Sequence, residues 1–205
     1  ADPWGNNEQN ISLFIHGFIQ QQRGYTLDGV PLGDQQYGNY NGLSPQRAVI
    51  SENVGRVNLA TGAGDLGTPS TSNLGGTIDT FTSDPAANLG IRAATTLGSH
   101  DAFRGYARID SGDMNGTRLY VSGVRQYARA WDFDGKQKGW QANAKLVHEG
   151  DAGRLIAYFA YSDKKEPNED ATVVSAAQTY RPYVRPFLYP DFASMQAYLA
   201  NALPY

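Results

Sequence analysis

The stretch that decides the fold reads Trp140-Gln141-Ala142-Asn143-Ala144-Lys145-Leu146. Apolar and polar residues alternate along it without a break, and an alternation of period two is typical of a β-strand whose two faces meet different surroundings. A helix, with its period of about 3.6 residues, would spread the polar side chains around its axis. The stretch therefore predicts a strand between an apolar environment and a polar one.

Four other segments of about ten residues repeat this alternation, and the five segments together fill residues 88–163. The other four lie at about 89–97, 103–110, 117–128 and 154–163. The third and fifth segments are less regular, because Arg125 and Ile156 stand on the faces opposite to those expected. Arg108 and Lys145 occupy polar faces, which favours the polar interior of a barrel. A soluble β-sandwich or barrel alternates in the same way, so the pattern alone leaves both forms open.

The connections between these segments differ on the two sides of the sheet. Residues 112–116 and 149–153 are short and turn-rich, whereas the connections at 99–102 and 129–138 lie on the other side. After residue 163 there is a long polar stretch, followed by a run rich in Tyr and Pro. Short turns on one side and a long loop on the other are typical of the periplasmic and extracellular ends of an outer-membrane barrel.

The first 85 residues have a different texture, because they are rich in Gly and contain short apolar runs between turn signals. Asp28-Gly29 separates two such runs and predicts a tight hairpin turn, since both residues tolerate a positive φ. Ser44 followed by Pro45 predicts the start of a short helix. We therefore expect a mixed α/β segment ahead of the antiparallel strands.

The overall composition excludes several classes of protein. With no Cys among its 205 residues, the chain has no thiolate metal site, disulfide or Cys nucleophile. Its formal charge of -3 argues against a nucleic-acid partner. The three His residues are far apart in sequence and no Gly-x-Ser-x-Gly motif occurs, so we predict no metal ion, no cofactor and no catalytic residues. No apolar run approaches the roughly 20 residues of a spanning helix, so insertion into a membrane would have to use strands.

Two passages near the N-terminus carry the first part of a family resemblance. Residues 11–18 form an apolar run that ends in His16-Gly17-Phe18, and residues 25–32 contain Asp28-Gly29-Val30-Pro31. Their order and spacing resemble the plug motif of TonB-dependent receptors. In that motif an apolar strand ends in Arg-Gly-Phe, and a later turn contains Asp-Gly-Ile/Val-Pro.

A second pair of passages extends the resemblance. Residues 56–64 begin with Arg56 and include Gly62, and residues 72–79 include Gly75-Gly76. They are similar to the Arg-Val-Glu-Val-x-Arg-Gly segment of the family and to the Gly-Gly-x-Ile-x run that closes its plug. The glycines suit tight turns and close backbone approach in a confined lumen.

The resemblance covers about residues 10–165 and implies a chain in two parts. Residues 1–85 are expected to form the C-terminal part of the plug domain, a mixed α/β segment. Residues 86–205 are expected to begin a transmembrane β-barrel with about five antiparallel strands and a long extracellular loop from about residue 163. A plugged transporter barrel has about 22 strands. The chain is therefore expected to be a fragment of a longer protein.

Three residues depart from the family's motif. His16 and Thr61 stand where the motif has Arg, and Asn58 stands where it has Glu. In the family, the two plug arginines face acidic residues on the barrel wall. Because both arginines are missing here, we expect the opposing wall carboxylates to be missing too, since a buried unpaired carboxylate is costly.

We predict ligand contacts on the plug loops that face outward. The polar and aromatic residues of these loops are Gln20, Gln21, Gln22, Arg23, Tyr37 and Tyr40. Loops on a rigid scaffold commonly carry binding residues. The same residues are also consistent with an ordinary plug surface, and the sequence does not separate these two interpretations.

The resemblance implies a receptor in the outer membrane of a Gram-negative bacterium. Such a receptor takes up a scarce nutrient complex, most often iron bound to a siderophore and otherwise vitamin B12 or a saccharide. TonB is expected to act on it through a segment upstream of this chain, and outer-membrane lipid is expected to surround it. The residues alone also allow a soluble β-rich carbohydrate-binding module, and no constellation of residues favours an enzyme.

Overall fold

The computed structural model of the protein describes two β-sheets and the segments that join them. The described residues are 13–33, 43–62, 67–70, 73–129, 135–166, 196 and 200. Tyr37 and Tyr40 lie outside them, as does most of the loop expected from residue 163. Among the described residues, no helix has both the length and the apolar character needed to cross a membrane.

The N-terminal sheet has short strands in the order β2-β1-β4-β3. Its strands are β1 (Gly24–Leu27), β2 (Val30–Pro31), β3 (Val54–Ala60) and β4 (Thr77–Thr82). β1 runs parallel to β4, and the other neighbours are antiparallel. A short helix, α1 (Pro45–Ala48), begins after Ser44 as the Ser-Pro pair predicts. Turns of 3-10 helix span Gln20–Gln22 and Ser51–Asn53.

The Asp28-Gly29 turn joins β1 to β2 as the sequence predicts. Asp28 and Gly29 have positive φ angles of 49° and 82°, and Leu27 pairs with Val30 across the hairpin. The Asp28 carboxylate also accepts hydrogen bonds from the backbone N–H and the hydroxyl of Thr82. The turn is therefore fixed to β4 as well as to its own hairpin.

Arg23 joins the two motif passages into one unit. Its side chain is fully buried and donates hydrogen bonds to the carbonyl oxygens of Gly75 at 3.1 Å, Phe18 at 3.3 Å, and Ile15. Gly75 lies so close to Phe18 that an added Cβ would be 2.5 Å from the Phe18 Cβ. The parallel pairing of β1 with β4 continues this contact. Arg23 and Gly75, which are 52 positions apart in sequence, therefore meet in the fold.

Five antiparallel strands follow in sequence order and form the second sheet, which we call the wall. The strands are β5 (Leu89–Leu97), β6 (Phe103–Ser111), β7 (Thr117–Arg129), β8 (Lys136–Gly150) and β9 (Gly153–Lys165). They confirm the five segments predicted from the alternation, although β8 extends beyond the regular stretch at both ends. The wall is open, because β5 and β9 do not pair with each other. An incomplete barrel has this form.

The wall has an inner face, which contacts the N-terminal part of the chain, and an outer face on the opposite side. The two faces differ as the alternation predicts. One cross-strand row on the outer face consists of Ile91, Ile109, Val121, Ala144 and Phe159, of which all except Ala144 are exposed. The neighbouring row on the inner face includes Arg108, Ser122 and Asn143, all buried. Arg125 lies on the outer face and Ile156 on the inner face. The structure therefore confirms that these two residues depart from the apolar-outside, polar-inside pattern. An outer face of this kind suits lipid, and the inner face suits a polar partner.

We predict that Gly76→Ala destabilises the N-terminal sheet by about 2–3 kcal/mol. Gly76 has a φ of 104°, and an added Cβ would lie 2.1 Å from the carbonyl oxygen of Ala60, so the backbone of β3 would have to move. Hydrogen exchange of the sheet amides in the folded protein measures the free energy of opening.

Gly62→Ala is the matched control for this substitution. Gly62 also has a positive φ, 75°, but nothing lies within 4 Å of an added Cβ. Only backbone strain of about 1 kcal/mol applies there. Equal effects of the two substitutions would show that the close approach of Gly76 to Ala60 does not limit the stability of the sheet.

Candidate functional site: the interface between plug and wall

The inner face of the wall is covered by the N-terminal part of the chain. After the family motif that they resemble, we call the described residues between 13 and 86 the plug segment. Within it, residues 46–53 and 82–86 contact side chains of strands β6 to β9. These contacts are mainly polar, and they involve the buried side chains of Asn53, Arg108 and Asn143.

The side-chain amide of Asn53 is the centre of this interface. Its Nδ2 donates to Ser122 Oγ at 2.7 Å and to Asn143 Oδ1 at 3.2 Å. Its Oδ1 accepts from the Tyr106 hydroxyl at 2.8 Å and from Arg108 Nη1 at 3.3 Å. The full donor and acceptor capacity of the amide is thus used in a fully buried position. Through it the plug segment is joined to β6, β7 and β8.

Backbone groups of α1 also bind the wall. Gln141 Nε2 donates to the carbonyl oxygen of Gln46 at 2.8 Å, and the Tyr158 hydroxyl donates to the carbonyl oxygen of Ala48 at 2.9 Å. Ile50 is fully buried in a small apolar cluster with two wall side chains. Ala48 and Val49 belong to a second apolar cluster, against which the wall residue Tyr158 packs. The wall therefore holds this turn of the plug segment by hydrogen bonds together with two small apolar clusters.

Arg108 ties the end of the plug segment to the wall. Its fully buried guanidinium donates to the Asp110 carboxylate, to Ser83 Oγ at 2.7 Å and to the carbonyl oxygen of Asp84 at 3.0 Å. It also lies over the ring of Tyr120, 3.7 Å from the centroid. Because Asp110 balances the charge within the wall, the remaining donors of Arg108 are available to position the plug segment.

Lys145 and Arg154 bind the same plug carboxylate. Lys145 Nζ lies 3.0 Å from Asp84 Oδ1, donates to the Thr82 hydroxyl at 2.8 Å, and is 3.8 Å from Asp28. Arg154 forms an ion pair with the other oxygen of Asp84. Burial acts to raise the pKa of Asp84, but the hydrogen bond and charge of Lys145, together with those of Arg154, outweigh it. The pKa of Asp84 is therefore lower than its ordinary value.

A cleft of about 490 Å³ adjoins this charged group. Its lining includes Arg56, whose guanidinium lies 4.3 Å from the centroid of the Phe81 ring. Lys145 and Arg154, which also line it, flank the short turn between β8 and β9. The cleft therefore lies between the plug segment and the wall, toward the short-turn end.

A second charged contact lies toward the opposite end of the wall. Both terminal nitrogens of Arg104 reach the Glu52 carboxylate, and Nη2 is 3.2 Å from Ser51 Oγ. Burial acts to raise the pKa of Glu52, but the hydrogen bonds from Arg104 and Ser51 outweigh it. The pKa of Glu52 is therefore lower than its ordinary value.

The charges across the interface have one dominant polarity. In the contacts made by Arg104, Lys145 and Arg154, the wall supplies the cation and the plug segment supplies the carboxylate. The reverse arrangement occurs between Arg47 and Glu166, 3.9 Å apart. The family resemblance implies plug arginines facing wall carboxylates, so most of the described ion pairs have the opposite sense.

The two positions where the motif arginines are missing lie apart from these contacts. His16 and Thr61 are both exposed. In the part of the chain that the structure describes, neither forms an ion pair or hydrogen bond with a wall carboxylate. The expected absence of wall carboxylates opposite them stays a prediction for the rest of the barrel.

The residues predicted to contact a ligand fall into separate groups. Gln20–Gln22 form one 3-10 turn and are half-buried. Arg23 is fully buried and both terminal nitrogens of its guanidinium bind carbonyl oxygens of the plug segment, so it is not open to a ligand in this fold. Tyr37 and Tyr40 lie outside the described residues. Ligand contact by the three glutamines stays a prediction.

Sequence reasoning did not single out Asn53 or Asp84. Asn53 follows Ser51 and Glu52, and such a polar triplet is typical of an ordinary surface turn. The sequence did indicate that Lys145 faces a polar interior, because the alternation places it on the polar face of β8. Over the described ranges, no group of three His, Asp or Glu residues is arranged to hold a metal ion.

Comparisons with known proteins give matches in structure alone. No family model matches the sequence, and no curated protein matches it. The pyoverdine outer membrane receptor FpvA from Pseudomonas aeruginosa PAO1, bound to pyoverdine, is 19% identical over 75% of this chain, with a TM-score of 0.61. FpvAI in complex with pyocin S2 is 21% identical over 75%, with a TM-score of 0.61. The ferric yersiniabactin uptake receptor FyuA from Yersinia pestis is 20% identical over 78%, with a TM-score of 0.55.

These matches establish the fold of the chain. It spans 22%, 20% and 26% of the length of the three solved proteins. A small mixed sheet followed by open antiparallel strands is the arrangement that the resemblance to TonB-dependent receptors implies, and the expected fold class is confirmed. Two of the three solved proteins are named as receptors.

We predict that Asn53→Ala weakens the attachment of the plug segment to the wall by about 2–3 kcal/mol. The substitution leaves the buried Tyr106 hydroxyl and Ser122 hydroxyl without the amide that they bind. Hydrogen exchange of the amides at residues 50–54 measures the free energy of local opening.

Asn58→Ala is the matched control, because Asn58 lies on β3 and is exposed. We expect it to change the opening free energy by less than about 0.5 kcal/mol. If Asn53→Ala has as small an effect as the control, the buried amide is not the centre of the interface.

We also predict that the interface weakens in acid. The folded-state pKa values of Asp84 and Glu52 are lowered, so each carboxylate contributes stability that is complete above its ordinary pKa, 3.8 and 4.5 respectively, and is lost as the pH falls through the lowered value. Urea unfolding of the full-length protein between about pH 7 and about pH 3 measures this loss.

Lys145→Met tests the origin of the acid effect. The substitution removes the hydrogen bond and the charge that oppose burial at Asp84, so the loss of stability between neutral and acid pH should be smaller. An unchanged pH dependence in this variant would show that other carboxylates cause it.

Proposed function

We propose that the chain is part of a TonB-dependent receptor in the outer membrane of a Gram-negative bacterium, one that takes up a scarce nutrient complex. The observation that carries the proposal is the opposite character of the two wall faces. The outer face presents exposed apolar side chains, and the inner face holds a plug segment through buried polar contacts. A transmembrane barrel has lipid outside and polar groups inside.

Residues 1–85 form the end of the plug in this proposal, and residues 86–205 begin the barrel. Short turns between β6 and β7 and between β8 and β9 would face the periplasm. TonB would act from that side, through a segment upstream of this chain. Strand addition to an exposed edge is the contact expected for such a segment.

The polar interface suits a plug that has to move. Water can replace the hydrogen bonds around Asn53 and Lys145 when the plug separates from the wall, so the net loss per bond is modest. An apolar interface of the same area would expose apolar surface to water at each cycle. A plug segment attached in this way can close the barrel and still rearrange.

An iron–siderophore complex is the substrate class that we propose. The names of two structural neighbours support it, since FpvA is a pyoverdine receptor and FyuA is a ferric yersiniabactin uptake receptor. The contact residues proposed here are Gln20–Gln22 on the plug, with Tyr37 and Tyr40. Vitamin B12 and saccharides are the other substrate classes of the family.

A soluble carbohydrate-binding module fits the wall less well. It would have to cover the exposed row that includes Ile91, Ile109 and Phe159 with a second apolar layer. In the described residues that face is uncovered, and the plug segment lies on the other face. Lipid is the simpler partner for this surface.

Membrane fractionation and iron uptake test the proposal. The full-length protein should sediment with the outer membrane, and deletion of its gene should abolish growth on one ferric siderophore while others still support it. Loss of TonB should give the same defect as loss of the gene. Reading the gene on both sides of the codons for Ala1 and Tyr205 should reveal further alternating strands and more plug.

A soluble location for the full-length protein would contradict the proposal and favour the binding module. Outer-membrane location with normal growth on every ferric siderophore would retain the receptor and reject the iron substrate. In that case vitamin B12 and saccharide uptake are measured next.

A further inference from the structure

The cleft between the plug segment and the wall is lined by more positive than negative charge. Its lining includes three cationic side chains, Arg56, Lys145 and Arg154, and two carboxylates, Asp28 and Asp84. Both carboxylates lie within 4 Å of Lys145 Nζ, and Asp84 also forms an ion pair with Arg154. The two carboxylates therefore serve the cations of the wall, and the third cation is in excess.

Arg56 is the cation of the cleft that can take a further partner. In the part of the chain that the structure describes, it is exposed and its guanidinium forms no ion pair or hydrogen bond. The guanidinium lies over the Phe81 ring, which fixes its plane and leaves the N–H groups at its edge free to donate. A guanidinium held in this way fits two oxygen atoms of one anionic group.

The wall depends on the plug segment for part of its negative charge. At the described inner-face positions of β5 to β9, the carboxylates are those of Asp110 and Glu149, and both pair with arginines of the wall itself. The carboxylates that Arg104 and Lys145 face belong to the plug segment. A buried charge that loses its partner is costly. Movement of the plug segment would therefore leave wall cations that a passing anion can satisfy.

The size of the cleft and its apolar lining suit a compact organic anion. Its volume of about 490 Å³ lies within the range of roughly 300–1,000 Å³ that is usual for small-molecule sites. The Phe81 ring and the Ile156 side chain line it beside the cations. Apolar surface with a few charged groups is the usual composition of a site for an organic ligand.

We propose that the cleft binds the transported complex on its way toward the short-turn end, and that this complex is negatively charged. The proposal rests on the uptake function proposed above and narrows its substrate to an anionic complex. Carboxylate or catecholate oxygens of the complex bind Arg56 and compete with Asp84 for Lys145 and Arg154. Binding therefore loosens the plug segment where it joins the wall, through the same cations that hold the ligand.

Measuring the charge of the substrate is the first test. The growth assay described above identifies the complex that the full-length protein takes up, and electrophoresis at neutral pH gives the sign of its charge. We expect migration toward the anode. An uncharged or cationic substrate would overturn the proposal and leave the receptor function in place, whereas a soluble full-length protein would remove both.

Citrate binding to the purified full-length protein, measured by calorimetry in detergent, tests the site itself. Citrate should bind, and its uncharged triethyl ester should not. Arg56→Gln should weaken citrate binding about tenfold, which is the usual effect of losing a hydrogen bond to a charged group. Asp84→Asn should strengthen it, because Lys145 and Arg154 then have no competing carboxylate from the end of the plug segment.

Two further variants separate a site from a general effect of charge. Arg125→Gln removes a cation from the exposed outer face of β7 and should leave citrate binding unchanged. Arg56→Lys keeps the charge but not the planar fork, so its affinity should lie between those of the wild type and Arg56→Gln. Because Arg56 is exposed, its substitution should not disturb the fold.

Three results of the titration would overturn the cleft as an anion site. They are equal affinity of Arg56→Gln and the wild type, equal binding of citrate and its ester, and a loss of affinity in Arg125→Gln as large as that in Arg56→Gln. Growth on the ferric complex would still support the receptor function in each case.

Discussion

The buried amide of Asn53 is the contact on which the arrangement of the chain depends. It receives or donates four hydrogen bonds that end on three different strands, so it aligns β6, β7 and β8 against one point of the plug segment. A buried amide is tolerated only when its partners are all present. The position of α1 on one side and of residues 82–86 on the other follows from this alignment.

The sense of the ion pairs gives the interface its chemical character. Cations on the wall meet carboxylates on the plug segment at Arg104 and Lys145, while the motif positions of His16 and Thr61 stay out of these contacts. A plug can be held in a barrel by either polarity, provided that each buried charge has a partner. The absence of arginine at positions 16 and 61 is therefore compatible with a plug segment bound to the wall, because the ion pairs of Arg104 and Lys145 join the two.

The sequence predicted the local features well and the long-range ones poorly. Strand alternation is a property of neighbouring residues, so the five wall strands and even the irregular position of Arg125 were readable. The Asp28-Gly29 turn depends on two residues and was readable for the same reason. The partners of Asn53 lie 69 and 90 positions away, which no local pattern encodes. Arg23 was misleading, since a charged residue after three glutamines is typical of a surface. Its side chain is buried instead, and the carbonyl oxygen of Gly75, 52 positions away, is one of its partners.

The parallel pairing of β1 with β4 has a consequence for the order of folding. Thr26 and Asp79 are 53 positions apart and are joined by a hydrogen bond, whereas each wall strand pairs with the next strand in sequence. Closing a long loop costs more chain entropy than forming a hairpin, and such contacts form more slowly. The wall hairpins can therefore form while the N-terminal sheet is still incomplete. The plug segment leaves the ribosome first, yet the surface on which it packs is made by later residues of the same chain.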